Sequence, residues 1–268
     1  MTFELSVCRF RFRARDTVQF PPRAGNAVRG LIGQEAEHRW FRPAAPAQGP
    51  SGLQTPPPPF VLRAHALDGR LYPPGQVFTF DIHLFDSDPS LPAKVALALR
   101  RMEREGIGPR RARAILEDAD RQPVVLDLTP PATAPPALQV DFETPTELKG
   151  HDSLTEPPPF AVLVARARDR VSTLRALYGP GPADVDFRLL GELAGAVRLR
   201  AGAVRLESRD RVSSRTGDRH PIGGFTGHAV YEGALAPFLP WLEAAVWTGA
   251  GRHTVWGNGA LKLTPLAE

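Results

Sequence analysis

The chain has 268 residues, 42% hydrophobic and 23% charged, a balance that supports a packed core and excludes global disorder. No apolar run approaches the roughly 20 residues of a membrane helix, the first residues read as strand rather than as a secretion signal, and the single cysteine, Cys8, excludes an internal disulfide or a cysteine-rich zinc site. A soluble protein of a reducing, cytoplasmic compartment is expected. Net charge is only +4, but Lys94, Lys149 and Lys262 are the only lysines among 33 cations, which leaves 30 arginines. Guanidinium forks suit phosphates and stack on bases, so the bias permits a nucleic-acid partner, although a GC-rich genome writes the same bias.

Proline is abundant, 29 residues, about twice the usual share of roughly 5%. Two proline-rich stretches, 43–59 and 129–137, exclude helix and central strand, and the second divides the chain into 1–130 and 137–268. In the first part, the alternation from Thr2 to Phe12 predicts a strand with Phe3, Leu5, Val7 and Phe12 near one buried face and a slip near Cys8. Val28, Leu31, Ile32, Ala36 and Trp40 predict a helix over Ala27–Phe41. Strands are expected at Phe60–Ala66 and Val77–Phe85, and a helix where Leu91, Val95, Ala98, Leu99 and Met102 recur. Two short strands follow, Ala112–Leu116 and Val124–Leu128. The order β-α-β-β-α-β is that of a ferredoxin-like domain.

The second part repeats the theme: a strand at Leu138–Glu143, a long helix from Phe160 to Tyr178 stopped by Gly179-Pro180, and a second helix over Val185–Ala196. Strands follow at Val197–Ser208 and Phe225–Glu232, then a helix around Leu235–Val246 and a last strand at Ala260–Leu263. The expected fold is α+β, two tandem ferredoxin-like (RRM-like) domains with antiparallel sheets and a C-terminal glycine-rich loop.

Phosphate-loop, dinucleotide, zinc-protease and serine-hydrolase motifs are absent. The seven histidines show no zinc-like pairing, so no metal site is expected. The most informative segment is Gly249-Ala250-Gly251-Arg252-His253-Thr254-Val255-Trp256-Gly257-Asn258-Gly259. Gly249, Gly251, Gly257 and Gly259 allow close backbone approach to a polyanion, with exposed N–H groups and Arg252 holding phosphate; a plain structural turn is the competing reading. Trp256 is either a base-stacking platform or core.

Together with that loop, three stretches carry a resemblance: Phe142 to Lys149, Arg215 to Pro221 followed by Ile222-Gly223-Gly224-Phe225-Thr226-Gly227, and Leu235 to Leu242. In this order they resemble the CRISPR repeat-RNA (pre-crRNA) processing endoribonucleases of the RAMP superfamily, and Gly25-Asn26-Ala27-Val28-Arg29-Gly30 looks like the start of that family's first helix. The resemblance implies metal-independent cleavage of CRISPR precursor RNA within its repeats, with no cofactor. The ribose 2′-hydroxyl attacks the adjacent phosphate, leaving 2′,3′-cyclic phosphate and 5′-hydroxyl ends. The implied partner is repeat RNA, stem-loop or unstructured, with other CRISPR effector subunits as further candidates and no membrane. A non-catalytic RAMP subunit that binds guide RNA in an effector assembly is the alternative.

Such chemistry needs a proton carrier, and histidine titrates near neutrality. His38 lies in the first helix, where the family often carries its histidine, at the border of the apolar stripe beside Gln34. Arg42, one turn on, is placed to stabilise the phosphate. The lysine or tyrosine that the family often pairs with its histidine is missing nearby. His253 competes for the role, or contacts RNA, at a position where similar proteins usually have glycine. For RNA binding the cluster Arg209, Arg211, Arg215 and Arg219 is chosen, with Lys149 and Arg252 beside it; Arg110 and Arg111 form a second basic group. Arg166, Arg168 and Arg170 read as a solvated helix face.

Overall fold

The computed structural model describes residues 1–32, 56–85, 88–108, 110–153, 155–207, 210–212, 219–221 and 223–267, with backbone alone at 210–212 and 219–221. The elements run β1 (Thr2–Ala14), β2 (Val18–Gln19), α1 (Ala24–Ile32), β3 (Phe60–Arg63), β4 (Leu71–Tyr72), β5 (Val77–Leu84), α2 (Leu91–Leu99), α3 (Arg101–Arg104) and β6 (Ala114–Asp127). They continue with β7 (Ala137–Thr146), α4 (Phe160–Tyr178), α5 (Phe187–Ala194), β8 (Arg198–Glu207), β9 (Asp210–Val212), β10 (Arg219–Pro221), β11 (Gly224–Glu232), α6 (Leu239–Thr248) and β12 (Leu261–Leu266).

Each half builds a four-stranded antiparallel sheet. The first has the order β3-β5-β1-β6 and the second β12-β7-β11-β8. Counting only each half's own four main strands, both orders read 4-1-3-2, the ferredoxin-like arrangement that a repeated β-α-β-β-α-β order implies. The tandem α+β expectation therefore holds. A two-stranded ribbon, β9 with β10, interrupts the connection between β8 and β11.

β1 shows how the halves join. Its odd residues Phe3, Leu5 and Val7 enter one core cluster, with α4 and α6, whereas Cys8, Phe10, Phe12 and Ala14 enter the other, with α1 and α2. Alternation is unbroken, so the expected slip near Cys8 is corrected: Phe12 faces the opposite side of the sheet from Phe3. Past Val7 the odd positions become Arg9, Arg11 and Arg13, which pair with Asp81 and Glu117 in solvent. One face thus switches from apolar to arginine where the second half stops covering it.

β6 is one strand rather than the two expected pieces. Its polar middle pairs with β1 through Asp120↔Arg9 and Asp118↔Arg11, and ladder hydrogen bonds do not require apolar side chains. α1 starts three residues before the expected helix because its cap is not local: Asp68 Oδ1 accepts the Ala24 N–H at 2.7 Å. α6 begins at Leu239 rather than near Leu235, with Pro240 in its first turn, where a missing N–H costs nothing.

Candidate functional site

The glycine-rich segment leaves the end of α6 and is stitched to its neighbours. Gly249, Ala250, Arg252, Trp256, Gly257, Asn258 and Gly259 all donate their N–H groups to backbone carbonyls, Arg252 to Glu147 at 3.0 Å and Gly259 to Pro145 at 3.1 Å. This corrects the reading of Gly249, Gly257 and Gly259 as open phosphate donors. Their job is contact with protein backbone: a Cβ on Gly251 would sit 2.2 Å from Glu147 O, and one on Gly259 2.1 Å from Ala250 O, both at positive φ. Gly25 of α1 is pressed on the loop in the same way, its Cβ position 2.3 Å from Trp256 O. Trp256 is neither a free stacking platform nor deep core; the Arg29 guanidinium lies 5.3 Å from its ring centre.

The start of the loop is anchored from below. Arg63 donates to Val246 O at 2.7 Å, His83 Nδ1–H to Trp247 O at 2.8 Å, and Arg170 Nε–H to Thr248 O at 2.6 Å. Cationic and donor groups from β3, β5 and α4 thus meet the last carbonyls of α6, the negative end of its dipole. Burial, with Arg63 adding to it, pushes the His83 imidazole down to about 4, so it caps as the neutral ring. Arg170, expected on a solvated face, is instead packed inward, a reassignment that a single-helix reading misses because α6 supplies the covering surface.

Two cavities flank the loop. A cleft of about 240 Å³ lies between the halves, where Pro22, Arg23 and Gly25 meet Glu143–Pro145 and Trp256–Asn258. Its described ionisable groups are Asp68, Glu143 and Glu207 against Arg23 and His65. His65 Nε2 stands 3.7 Å from Glu143; burial lowers its pKa, Glu143 opposes the shift and Arg63 adds to it. A cavity of about 310 Å³ lies on the other side, between α4, Pro57, Lys149 and Gly251-Arg252.

The site residues named from sequence fare differently. His38, Arg42, Arg209 and Arg215 lie outside the described residues, and Arg211 and Arg219 sit on β9 and β10 with backbone alone described. Lys149 is exposed at the second cavity. Arg252 is exposed but pairs with Glu147 at 2.7 Å, and His253 Nε2 lies 3.6 Å from the same carboxylate. Burial lowers the His253 pKa, Glu147 opposing and Arg252 adding. Arg110 and Arg111 are exposed on the turn into β6 and line neither cavity. Sequence reasoning missed His65, Arg63 and Glu147; the loop contacts of Glu147 were foreshadowed only by its place beside Lys149. Among the described residues, no group of three or more His, Cys, Asp or Glu could hold a metal ion, and no helix is long and apolar enough to cross a membrane.

Two antiparallel ferredoxin-like sheets in tandem are the architecture that the resemblance implies. Residues 140–261 match the family model described as CRISPR-associated endoribonuclease Cas6, and residues 36–127 match a second model, AF_1859_N, described as an N-terminal domain. No curated protein sequence matches. A Thermus thermophilus Cas6 in a product complex is 16% identical, over 97% of this chain and 99% of that one, with a TM-score of 0.58. A second Cas6 product complex is 21% identical over 98% and 100%, with a TM-score of 0.55; that protein has also been solved as a histidine-to-alanine mutant. A partial Cas6-RT-Cas1–Cas2 complex gives a TM-score of 0.64 at 11% identity, over 97% of this chain and 46% of that one. The resemblance holds over residues 140–261, which match the Cas6 endoribonuclease model, and the tandem fold is that of the Cas6 structures.

Proposed function

We propose that the chain cuts CRISPR precursor RNA within its repeats without a metal ion. The observation that carries the reading is the match of residues 140–261 to the Cas6 endoribonuclease model, supported by the same tandem fold in Cas6 product complexes. Residues 1–130 carry the chemistry and 137–268 hold RNA. A base removes the 2′-hydroxyl proton, the 2′-oxygen bonds to phosphorus, the bond to the 5′-oxygen breaks, and an acid returns a proton to that oxygen. His38 is the proton carrier in this proposal and Arg42 the cation over the phosphate. The solved histidine-to-alanine mutant of a Cas6 supports looking for a histidine in this role.

RNA contacts are assigned to Lys149, Arg209, Arg211, Arg215, Arg219, Arg252 and His253, with Arg110 and Arg111 as outlying backbone contacts. The glycines 249, 251, 257 and 259 act by shaping the loop that presents Arg252 and His253. The test is incubation of the protein in EDTA with a CRISPR repeat-hairpin RNA. Cleavage to 2′,3′-cyclic phosphate and 5′-hydroxyl ends is expected, and a 2′-deoxy nucleotide 5′ of the cut should abolish it. Cleavage of the 2′-deoxy substrate overturns the chemistry. Salt-sensitive binding without product transfers the chain to the guide-RNA-binding class.

A further inference from the structure

The cavity beside α4 holds more positive charge than its protein surroundings neutralise. Lys149, Arg166, Arg170 and Arg252 line it, with Asp169 as its one carboxylate among the described residues. Asp169 is already shared: Arg166 Nη2 lies 3.0 Å and Arg168 Nη2 2.9 Å from its oxygens. Glu147 is taken by Arg252. Arg170 uses Nε on Thr248 O, while its Nη2 and the Nε of Arg166 are shielded from solvent with no hydrogen-bond partner. Burial, with the like charge of Arg63 adding, pushes the Arg170 guanidinium down to about 9. Lys149 has no hydrogen bond or ion pair among the described residues.

Clustered guanidiniums with spare donors and fewer carboxylates than cations are costly for the protein alone. A divalent cation or a neutral ligand would not relieve that cost; an anion with several acceptor oxygens would. The volume, about 310 Å³, is at the small end of ligand sites, and the exposed Lys149 and Arg252 leave the mouth open to a chain that continues past it. The opposite cavity, with three carboxylates against Arg23 and His65 among its described groups, repels the same ligand.

We infer that this cavity is a phosphate subsite for the RNA backbone, in which Arg166 and Lys149 grip one or two consecutive phosphodiesters while Arg170 and Arg252 supply the surrounding positive field. The inference rests on the RNA-binding reading above. Arg170 is both anchor for α6 and part of the site, so the testing variants leave it intact.

The experiment is fluorescence-anisotropy titration of labelled repeat RNA, made uncleavable by a 2′-deoxy nucleotide at the cut, across a salt series. Wild type is compared with Lys149→Gln/Arg166→Gln, each checked by thermal melting for an intact fold. Loss of two single-strand phosphate contacts should make the slope of log K against log salt shallower by about 1.4, and affinity should drop roughly tenfold at low salt. Arg166→Lys should keep the slope and lose part of the affinity, because charge stays and the fork goes. Wild-type affinity and slope in the double variant overturn the subsite while leaving RNA binding standing. Wild-type protein that binds no repeat RNA overturns the functional reading itself, and the subsite with it. Inorganic phosphate is the second probe: if it raises the melting point of wild type but not of the double variant, and the RNA slope is unchanged, the cavity takes a free anion and the RNA subsite is wrong.

Discussion

The two cavities share one wall, the glycine-rich loop, and differ in nearly everything else. On the α1 side the described groups are three carboxylates with Arg23 and His65; on the α4 side they are four cations with Asp169. The loop that separates them has little freedom, since most of its N–H groups are committed to carbonyls and two of its glycines lie against backbone. A polyanion meeting this surface finds opposite fields a few residues apart along the same chain, because backbone of neutral charge divides two clusters drawn from different elements. The α1 side leads by sequence toward His38, the proposed proton carrier, and the α4 side offers phosphate contacts. Chemistry and grip should therefore separate experimentally.

The sharpest way to break that separation is His38→Ala. Cleavage of repeat RNA should fall by at least about 10²-fold while anisotropy shows RNA affinity little changed. Single-turnover rates with saturating protein isolate the chemical step, and a normal rate removes His38 from the mechanism and shifts attention to His253. Next in size is the wall itself. Gly251→Ala adds a Cβ 2.2 Å from Glu147 O at φ +79°, so the loop must move away from Glu147, at a cost of about 3 kcal/mol. Urea denaturation should show the loss, and both affinity and cleavage should decline together because both cavities lose their shared side. A stability within 0.5 kcal/mol or so of wild type would mean the loop is not the tight partition described.

How far these features can be read from sequence varies with how local their causes are. The two-sheet order was legible because strand and helix periods repeat in both halves, and α4 ended where Gly179-Pro180 said it would. β1 was legible as a strand but not in its allegiance: its odd face is Phe3, Leu5 and Val7 and then Arg9, Arg11 and Arg13, a switch that makes sense only once the second half is seen to cover one end. The start of α1 was misplaced because its capping carboxylate, Asp68, comes 44 residues later. Arg170 looked solvated because helix periodicity cannot know that α6 ends against it. Cavity charge is non-local in the same way: Lys149 was singled out, but Arg166 beside it was not, since 17 positions and a turn separate them in the chain. His38 rests on the family resemblance, and its neighbourhood lies outside the described residues.

The anchor below the loop makes a pH prediction. Of Arg63, His83 and Arg170, only His83 has an ordinary pKa near neutrality, and it faces Arg63, Asp81 and the Trp247 carbonyl. Its folded pKa, about 4, is below the ordinary value of 6.5. The folded state therefore binds the proton less readily than the unfolded chain, and its stability contribution is complete above about pH 6.5 and lost as pH falls toward 4. Between pH 7 and pH 5 wild type should lose about 1–2 kcal/mol more than His83→Gln, which keeps a donor for Trp247 O without titrating. Urea midpoints at the two pH values measure this; equal losses in both proteins would show that His83 does not hold the end of α6 as a neutral cap.

The smallest effect sharpens the comparison most directly. Glu147 sits at the wall and neutralises Arg252 at 2.7 Å, with His253 3.6 Å away. Glu147→Gln frees Arg252 for RNA and removes one negative charge from the mouth of the α4 cavity. Stability should change by less than about 1 kcal/mol, because a pair this exposed contributes little, whereas RNA affinity at low salt should rise roughly threefold and its salt slope should steepen by as much as about 0.7. Glu207→Gln removes the same charge from the opposite cleft, where Glu207 accepts from Thr226 Oγ1 at 3.1 Å. If RNA phosphates run on the α4 side, that change should move affinity by less than about twofold, since exposed charges beyond a Debye length of roughly 10 Å are screened. A larger gain from Glu207→Gln than from Glu147→Gln would place the RNA backbone in the acidic cleft and reverse the assignment of the two cavities.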